Sequence, residues 1–121
     1  MRGMNRVFLM GYLGSSPELL VSKNGKNYTK INLAVSRRQR AENGEFENKT
    51  DWHRVVVWGK TAQNCCDHLE RGAPVAIEGS LTQMKSIDST KGTEFSQTLV
   101  TADEVHFLPR RKEAGLSQSM Q

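Results

Sequence analysis

The apolar pattern of this chain repeats every second residue in two separate segments, and between them it gives way once to a helical spacing. Ile31, Leu33 and Val35 alternate with polar neighbours, and Val75, Ile77, Gly79 and Leu81 do the same later in the chain. Alternation of this kind sets one face of a strand against a core and the other against solvent. Between them the period changes. Ala62, Cys65, Cys66 and Leu69 stand at i, i+3, i+4 and i+7, one stripe on a short helix. Gly72 and Pro74 end it. A chain of 121 residues patterned this way is about one domain, built mainly of strands.

The strands can be placed in order. Val7 to Leu13 is a short apolar run that stops at Gly14-Ser15-Ser16-Pro17, which predicts a buried strand. Asn24-Gly25 is a turn signal, and residues 28–35 after it form a strand with one buried face. Residues 37–50 are polar and contain Asn43-Gly44, a long loop or the tip of a hairpin. Thr50 to Trp58, dense in Val and Trp, is the third strand. A fourth begins at Val75, a second polar loop covers residues 86–93, and the last strand runs from Phe95 to Leu108. Three strands, one helix and two strands match an all-β five-stranded Greek-key barrel, the OB-fold, with its helix between strands 3 and 4, an element order that other small barrels share. The domain spans 1–108. Residues 109–121 carry almost no apolar side chains and read as the disordered start of a linker.

Composition narrows the function classes. The apolar fraction is 36%, enough for a modest core. No apolar run approaches the roughly 18 residues of a membrane helix, and no signal-peptide pattern opens the chain. Two adjacent cysteines make no disulfide framework. The expectation is a cytoplasmic protein with no membrane association. Its net charge of +4 conceals an asymmetry. Residues 2–40 hold eight basic side chains against Glu18 alone, whereas residues 55–108 hold four bases against seven acids. A basic first third would draw a polyanion, although solvated charge alone also accounts for it.

The most informative segment is Thr50-Asp51-Trp52-His53-Arg54-Val55-Val56-Val57-Trp58-Gly59-Lys60. Residues of equal parity share a strand face, so Val55 and Val57 turn inward with His53. Trp52, Arg54, Val56 and Trp58 turn outward. Six residues separate the two indoles, roughly 20 Å. Aromatics so placed can stack on bases of a single strand, each worth about 1–3 kcal/mol, and Arg54 and Lys60 supply cations for the phosphates. The competing reading makes both tryptophans core or subunit-interface residues. Arg37, Arg38 and Arg40 open the first long loop and can close over a nucleic-acid backbone; Lys85 and Lys91 are a weaker version in the second. Cys65, Cys66 and His68 lack the C-x₂-C spacing of a zinc site. No phosphate loop, paired carboxylates or nucleophile elbow appears. The expectation is no enzyme, no metal and no cofactor.

Asn5-Arg6-Val7 through Gly11-Tyr12-Leu13-Gly14, Pro17-Glu18, Ile31 to Ser36, Thr50 to Lys60, Leu69-Glu70-Arg71-Gly72 and Val75 to Gly79 together resemble the bacterial single-stranded DNA-binding proteins of the OB-fold type. The resemblance covers Met4 to Leu108. It implies a homotetramer that binds and protects single-stranded DNA in replication, recombination and repair, in the nucleoid-associated cytoplasm. It places Trp52 and Trp58 at base-stacking positions and His53 at a subunit interface. The basic positions it matches are Arg2, Arg6, Arg54, Lys60, Arg71 and Lys85, and Phe95 falls where the family often has an aromatic. It also marks departures. Gln39 and Ser86 stand where the family's loop tryptophans would be, and Leu20 where a base is common. Ser117 to Gln121 contain none of the acidic tail through which such proteins recruit replication and repair enzymes, so this chain is read as lacking it. A replication accessory adaptor of primosome type on the same fold is the alternative, and a small metal-dependent nuclease using Cys65 and His68 a more distant one.

Overall fold

A computed structural model describes residues 1–109. The alternating segments form the strands β1 (Val7–Leu13), β3 (Asn27–Arg40), β4 (Phe46–Trp58), β5 (Pro74–Ile87) and β6 (Glu94–Phe107), and the helical stripe forms α1 (Gly59–His68). A two-residue strand, β2 (Leu20–Val21), was not foreseen. It pairs with the start of β3 across the turn at Gly25, where φ is +82°.

The long strands run in the order β1-β5-β6-β4-β3, and β1 pairs back onto β3 through Tyr12↔Ala34 and Leu13↔Leu33. The five therefore close into a barrel, as the order of elements predicts. All neighbours are antiparallel except β4 and β6, which meet in a short parallel contact at Val55↔Val100 and Val56↔Thr101. Inside lie Leu13, Ile31, Leu33, Val55, Val57, Val75, Ile77 and Val100, joined by Ala62, Cys65 and Leu69 from and after α1. The one buried polar side chain among the core residues, Thr29, donates its hydroxyl to the Glu18 carbonyl at 2.7 Å. That bond removes the cost of burying an unpaired hydroxyl.

Two expectations change, and the alternatives left open for residues 37–50 are decided. The β1 run is buried on one face only: Leu13 and Gly11 are enclosed, but Phe8 and Met10 are each 65% exposed and Tyr12 is also open. Among the described residues, none encloses the outer side of that barrel wall. Both polar stretches are tips of paired strands. The β3–β4 ladder continues unbroken from Tyr28↔Trp58 to Arg40↔Phe46, with a turn closed by the Ala41 N–H donating to the Glu45 carbonyl. The β5–β6 ladder likewise reaches Ile87↔Glu94. Leu81 keeps the inward parity of Ile77 and Gly79 and pairs with the buried Val100, yet it is half exposed. Of the segment 109–121 read as a linker, residues 110–121 lie outside the described residues. No helix among the described residues is long and apolar enough to cross a membrane.

Cys65 is enclosed in the core, and burial, with a smaller contribution from Cys66, pushes its thiol up to about 11. The thiolate is the reactive form, so at pH 8 its population is on the order of one in a thousand. In native protein, the Cys65 thiol is expected to resist a thiol reagent at neutral pH and to become reactive on unfolding in denaturant. Mass mapping of the labelled residue checks this.

Candidate nucleic-acid interface

The β3–β4 register sets the site. Tyr28 lies opposite Trp58, Lys30 opposite Val56, Asn32 opposite Arg54 and Ala34 opposite Trp52. All share the outward parity of the two strands. Trp58, 43% exposed, is backed by Tyr28 with ring centroids 4.9 Å apart and planes tilted by 31°. An aromatic neighbour at this separation holds the indole in place while leaving its other surface open.

Beside Trp58 runs a cleft of about 320 Å³ lined by Tyr28, Lys30, Arg54, Met84, Gln97 and Leu99 among others. Val56 forms its apolar floor, almost fully covered although it has outward parity. A second cleft of about 430 Å³ shares Arg54, Gln97 and Leu99 and holds Trp52, which is 61% exposed. The two tryptophans thus occupy adjoining clefts on one barrel face, with the Arg54 guanidinium between them. Lys23 joins Lys30 and Arg54 around the first cleft, and no carboxylate is among the residues lining either cleft. On the far side of Trp58, Lys26 and Lys60 flank a further hollow. Bases stacked on the indoles would therefore have cations beside them for their phosphates.

Trp52 rests against Gly14. A methyl group built on Gly14 would collide with the outer edge of the indole, standing 2.9 Å from its Cη2 and nearer still to Cζ3. The far end of a side chain can move, so Gly14→Ala is expected to displace the indole and leave the barrel intact. The expected result is weaker oligo-dT binding with a melting temperature within a few degrees of wild type. Unchanged affinity would show that the position of the indole is immaterial.

The structure gathers some expected residues and separates others. Trp52, Trp58 and Arg54 line the two clefts, and Lys60 flanks the hollow beyond Trp58. Phe95 has the parity of Gln97 and Leu99 on β6, which puts it on the cleft side, nearer the hairpin tip. Arg71 lies beyond α1, its N–H bonded to Ser16 Oγ at 3.0 Å, two residues from Gly14. Arg38 and Arg40 share the outward parity of Lys30 and Asn32. Arg37 does not: its Nε donates to Asp51 Oδ2 at 2.7 Å on the opposite hairpin face. Lys85 alternates away from Met84 and so faces the other side of its hairpin. Arg6 sits over the Phe8 ring, 5.4 Å from its centroid, and 3.6 Å from Glu78, away from the clefts. Arg2 is exposed ahead of β1. His53 is half-buried at the inward parity, opposite Leu33.

Tyr28, Lys23, Lys30, Met84 and Gln97 were not among the expected site residues. Tyr28 and Lys30 were within reach of parity, since they alternate with the buried Thr29 and Ile31. Cys65 and His68 do not gather a ligand set. The described His, Cys, Asp and Glu side chains near enough to share an ion are Glu78, Glu104 and His106, on the outside of β5 and β6.

A closed five-stranded barrel with two aromatics and interleaved cations in open clefts on one face defines a single-strand-binding module of OB type. The chain belongs to the single-strand binding protein family, whose model matches residues 4–108. It is similar to single-stranded DNA-binding protein 1 of Chlorobaculum tepidum, 32% identical over 114 residues, covering 94% of this chain and 70% of the relative. A single-stranded DNA-binding protein of Xylella fastidiosa is 33% identical, with 94% and 69% covered. Among solved structures, a deletion mutant of the single-stranded DNA binding protein from Thermus aquaticus superimposes with a TM-score of 0.79 at 30% identity. That match covers 91% of this chain and 53% of the Thermus chain, so this chain spans about half its length. A Plasmodium falciparum SSB in complex with single-stranded DNA gives a TM-score of 0.77 at 26% identity, covering 90% of this chain and 98% of that one.

Proposed function

We propose that this chain binds single-stranded DNA without regard to sequence, protecting it during replication, recombination and repair, and that it does so without catalysis. The observation that carries the reading is the placement of Trp52 and Trp58 in adjoining clefts with Arg54 between them. Stacking accepts any base because every base has a π-face, and phosphate pairing accepts any sequence. The assignments extend to Lys60, Arg38, Arg40, Arg71 and Phe95 around this face. Arg2, Arg6, Arg37 and Lys85 lie on other surfaces, where a strand wrapped around the protein would meet them.

A wrapped strand needs more surface than one barrel offers, and we assign the working form to a homotetramer. In favour stands the row Phe8, Met10 and Tyr12, an exposed apolar stripe of the kind that marks association surfaces. His53 is the other residue assigned to subunit contact. Replication and repair enzymes are further proposed partners, met in the nucleoid-associated cytoplasm.

Titration with oligo-dT over a range of salt tests the reading. Tryptophan fluorescence is expected to be quenched, and log K to fall linearly with log[salt], with a slope of about −0.7 per phosphate neutralised. Duplex bound as tightly as single strand would overturn it. Native mass spectrometry is expected to find a tetramer; a dimer with feeble DNA binding would favour the primosome-type adaptor.

A further inference from the structure

The aromatic pattern of β4 does not stop at Trp52. Phe46 lies six residues before it, as Trp52 lies six before Trp58, so the three share one face of one strand at intervals of roughly 20 Å. The unbroken β3–β4 register carries that face out of the barrel to the hairpin tip, where Phe46 pairs with Arg40. Its ring is 54% exposed. Two guanidinium groups attend it: Arg38 at 4.5 Å and Arg40 at 4.9 Å from the ring centroid. By contrast, Gln39 has the opposite parity, and its side-chain oxygen accepts a hydrogen bond from Arg37 at 2.6 Å.

A solvent-exposed phenylalanine at the end of a polar hairpin gives up apolar burial for no gain in the fold. Two arginines share that ring, each attracted to its face and repelled by the other's charge. Both features make sense together as a binding element. A guanidinium over an exposed ring is held weakly, while a phosphate offers a paired, charge-assisted contact. An arriving phosphate therefore draws Arg38 or Arg40 from the ring and frees aromatic surface for the neighbouring base.

We propose that Phe46, flanked by Arg38 and Arg40, is a third base-stacking platform for single-stranded nucleic acid, borne on the β3–β4 hairpin tip. The inference rests on the single-strand-binding reading above and extends its site from the barrel face to the arm. A strand lying along the outward face of β4 would meet Trp58, Arg54, Trp52 and then Phe46 between its two arginines. The platform also offsets the absence of an aromatic at Gln39.

The test compares Phe46→Ala, Phe46→Tyr and Trp58→Ala with wild type in the full chain. Binding of labelled oligo-dT, long enough to reach the hairpin tip, is measured across a salt series. Phe46→Ala is expected to weaken binding about 5- to 20-fold, in the lower range for one stacked base, with the salt slope unchanged. Phe46→Tyr, which keeps a ring, is expected to restore most of the affinity. An oligo-dT too short to reach the tip from Trp52 should not distinguish Phe46→Ala from wild type, although Trp58→Ala should weaken it. Wild-type affinity of Phe46→Ala for the long strand would overturn the proposal. So would a loss accompanied by a shallower salt slope, because Phe46 would then only be positioning the arginines for phosphate. Failure of the single-strand reading itself is separately visible, as absence of oligo-dT binding in the unmutated chain. Because Phe46 lies outside the core, a melting curve for Phe46→Ala coincident with wild type is expected to accompany these results.

Discussion

Replacing Trp52 and Trp58 together by alanine is expected to remove about 2–6 kcal/mol of oligo-dT binding, the sum of two stacked bases. The indoles are roughly 20 Å apart along β4 and share no ring contact, so their contributions should add. Each single variant should then lose about half. Trp58→Ala also uncovers Tyr28, whose ring can take part of the vacated place, so its loss is expected to be the smaller of the two. With both tryptophans gone, the readout is anisotropy of labelled DNA. Arg54→Ala provides the contrast: it removes a cation from between the clefts, so its salt slope should become shallower by about 0.7, whereas the tryptophan variants keep the wild-type slope. Wild-type affinity in the double variant would refute stacking as the source of binding. Both side chains are exposed and neither belongs to the core cluster, so the melting temperature should change little.

Parity alone put Trp52, Arg54 and Trp58 on one outer face, because Val55 and Val57 between them have to face the core. It had no comparable purchase on residues 36–50. There neither face is buried, and without an apolar partner set the strands continue with no signal in their alternation. Sequence alone therefore leaves the hairpin arm as a loop or a tip, and the adjacent arginines as one group. Backbone pairing divides them. Arg37 turns to Asp51, and Arg38 and Arg40 turn to Phe46. The division depends on a register that only the assembled ladder fixes.

Contacts between distant strands were equally hidden. Tyr28 stands thirty residues before Trp58, and Met84 and Gln97 reach the first cleft from a different hairpin. The outer row of β1 misled in another way. Phe8, Met10 and Tyr12 interleave with the buried Gly11 and Leu13, so an uninterrupted apolar run looked buried on both sides. One barrel can enclose only one side of a strand, and the second apolar face is left on its outer surface. The sequence pattern does not say which of the two apolar faces the barrel encloses.

Gly79→Ala is expected to cost about 3 kcal/mol or more in stability, since a clash between two main chains is harder to relieve than an overpacked side chain. Gly79 is enclosed where β5 lies between β1 and β6, paired with Val7 on one side and Ala102 on the other. A methyl group there would land on the Thr101 carbonyl oxygen, 2.9 Å from the carbonyl carbon and 3.0 Å from the Ala102 Cα. Those atoms are backbone, held by the β5–β6 ladder, and cannot rotate aside as the Trp52 ring can from Gly14. The same step carries the register shift between Glu78 and Gly79. The extra residue there is Asp103 of β6, and a bulge of this kind bends its strand sharply enough for a small sheet to close on itself. Gly11 plays the matching part at the other seam: a methyl group there would strike the Ala34 carbonyl, beside the Tyr12↔Ala34 pair that joins β1 to β3. For a domain of this size, a 3 kcal/mol loss lowers the melting temperature by roughly 10–20 °C. Gly79→Ala and Gly11→Ala should each show such a drop, whereas Gly14→Ala should not. A melting temperature near wild type for Gly79→Ala would mean that the bulge can open by the width of a methyl group, and that closure of the barrel does not depend on the bare backbone there.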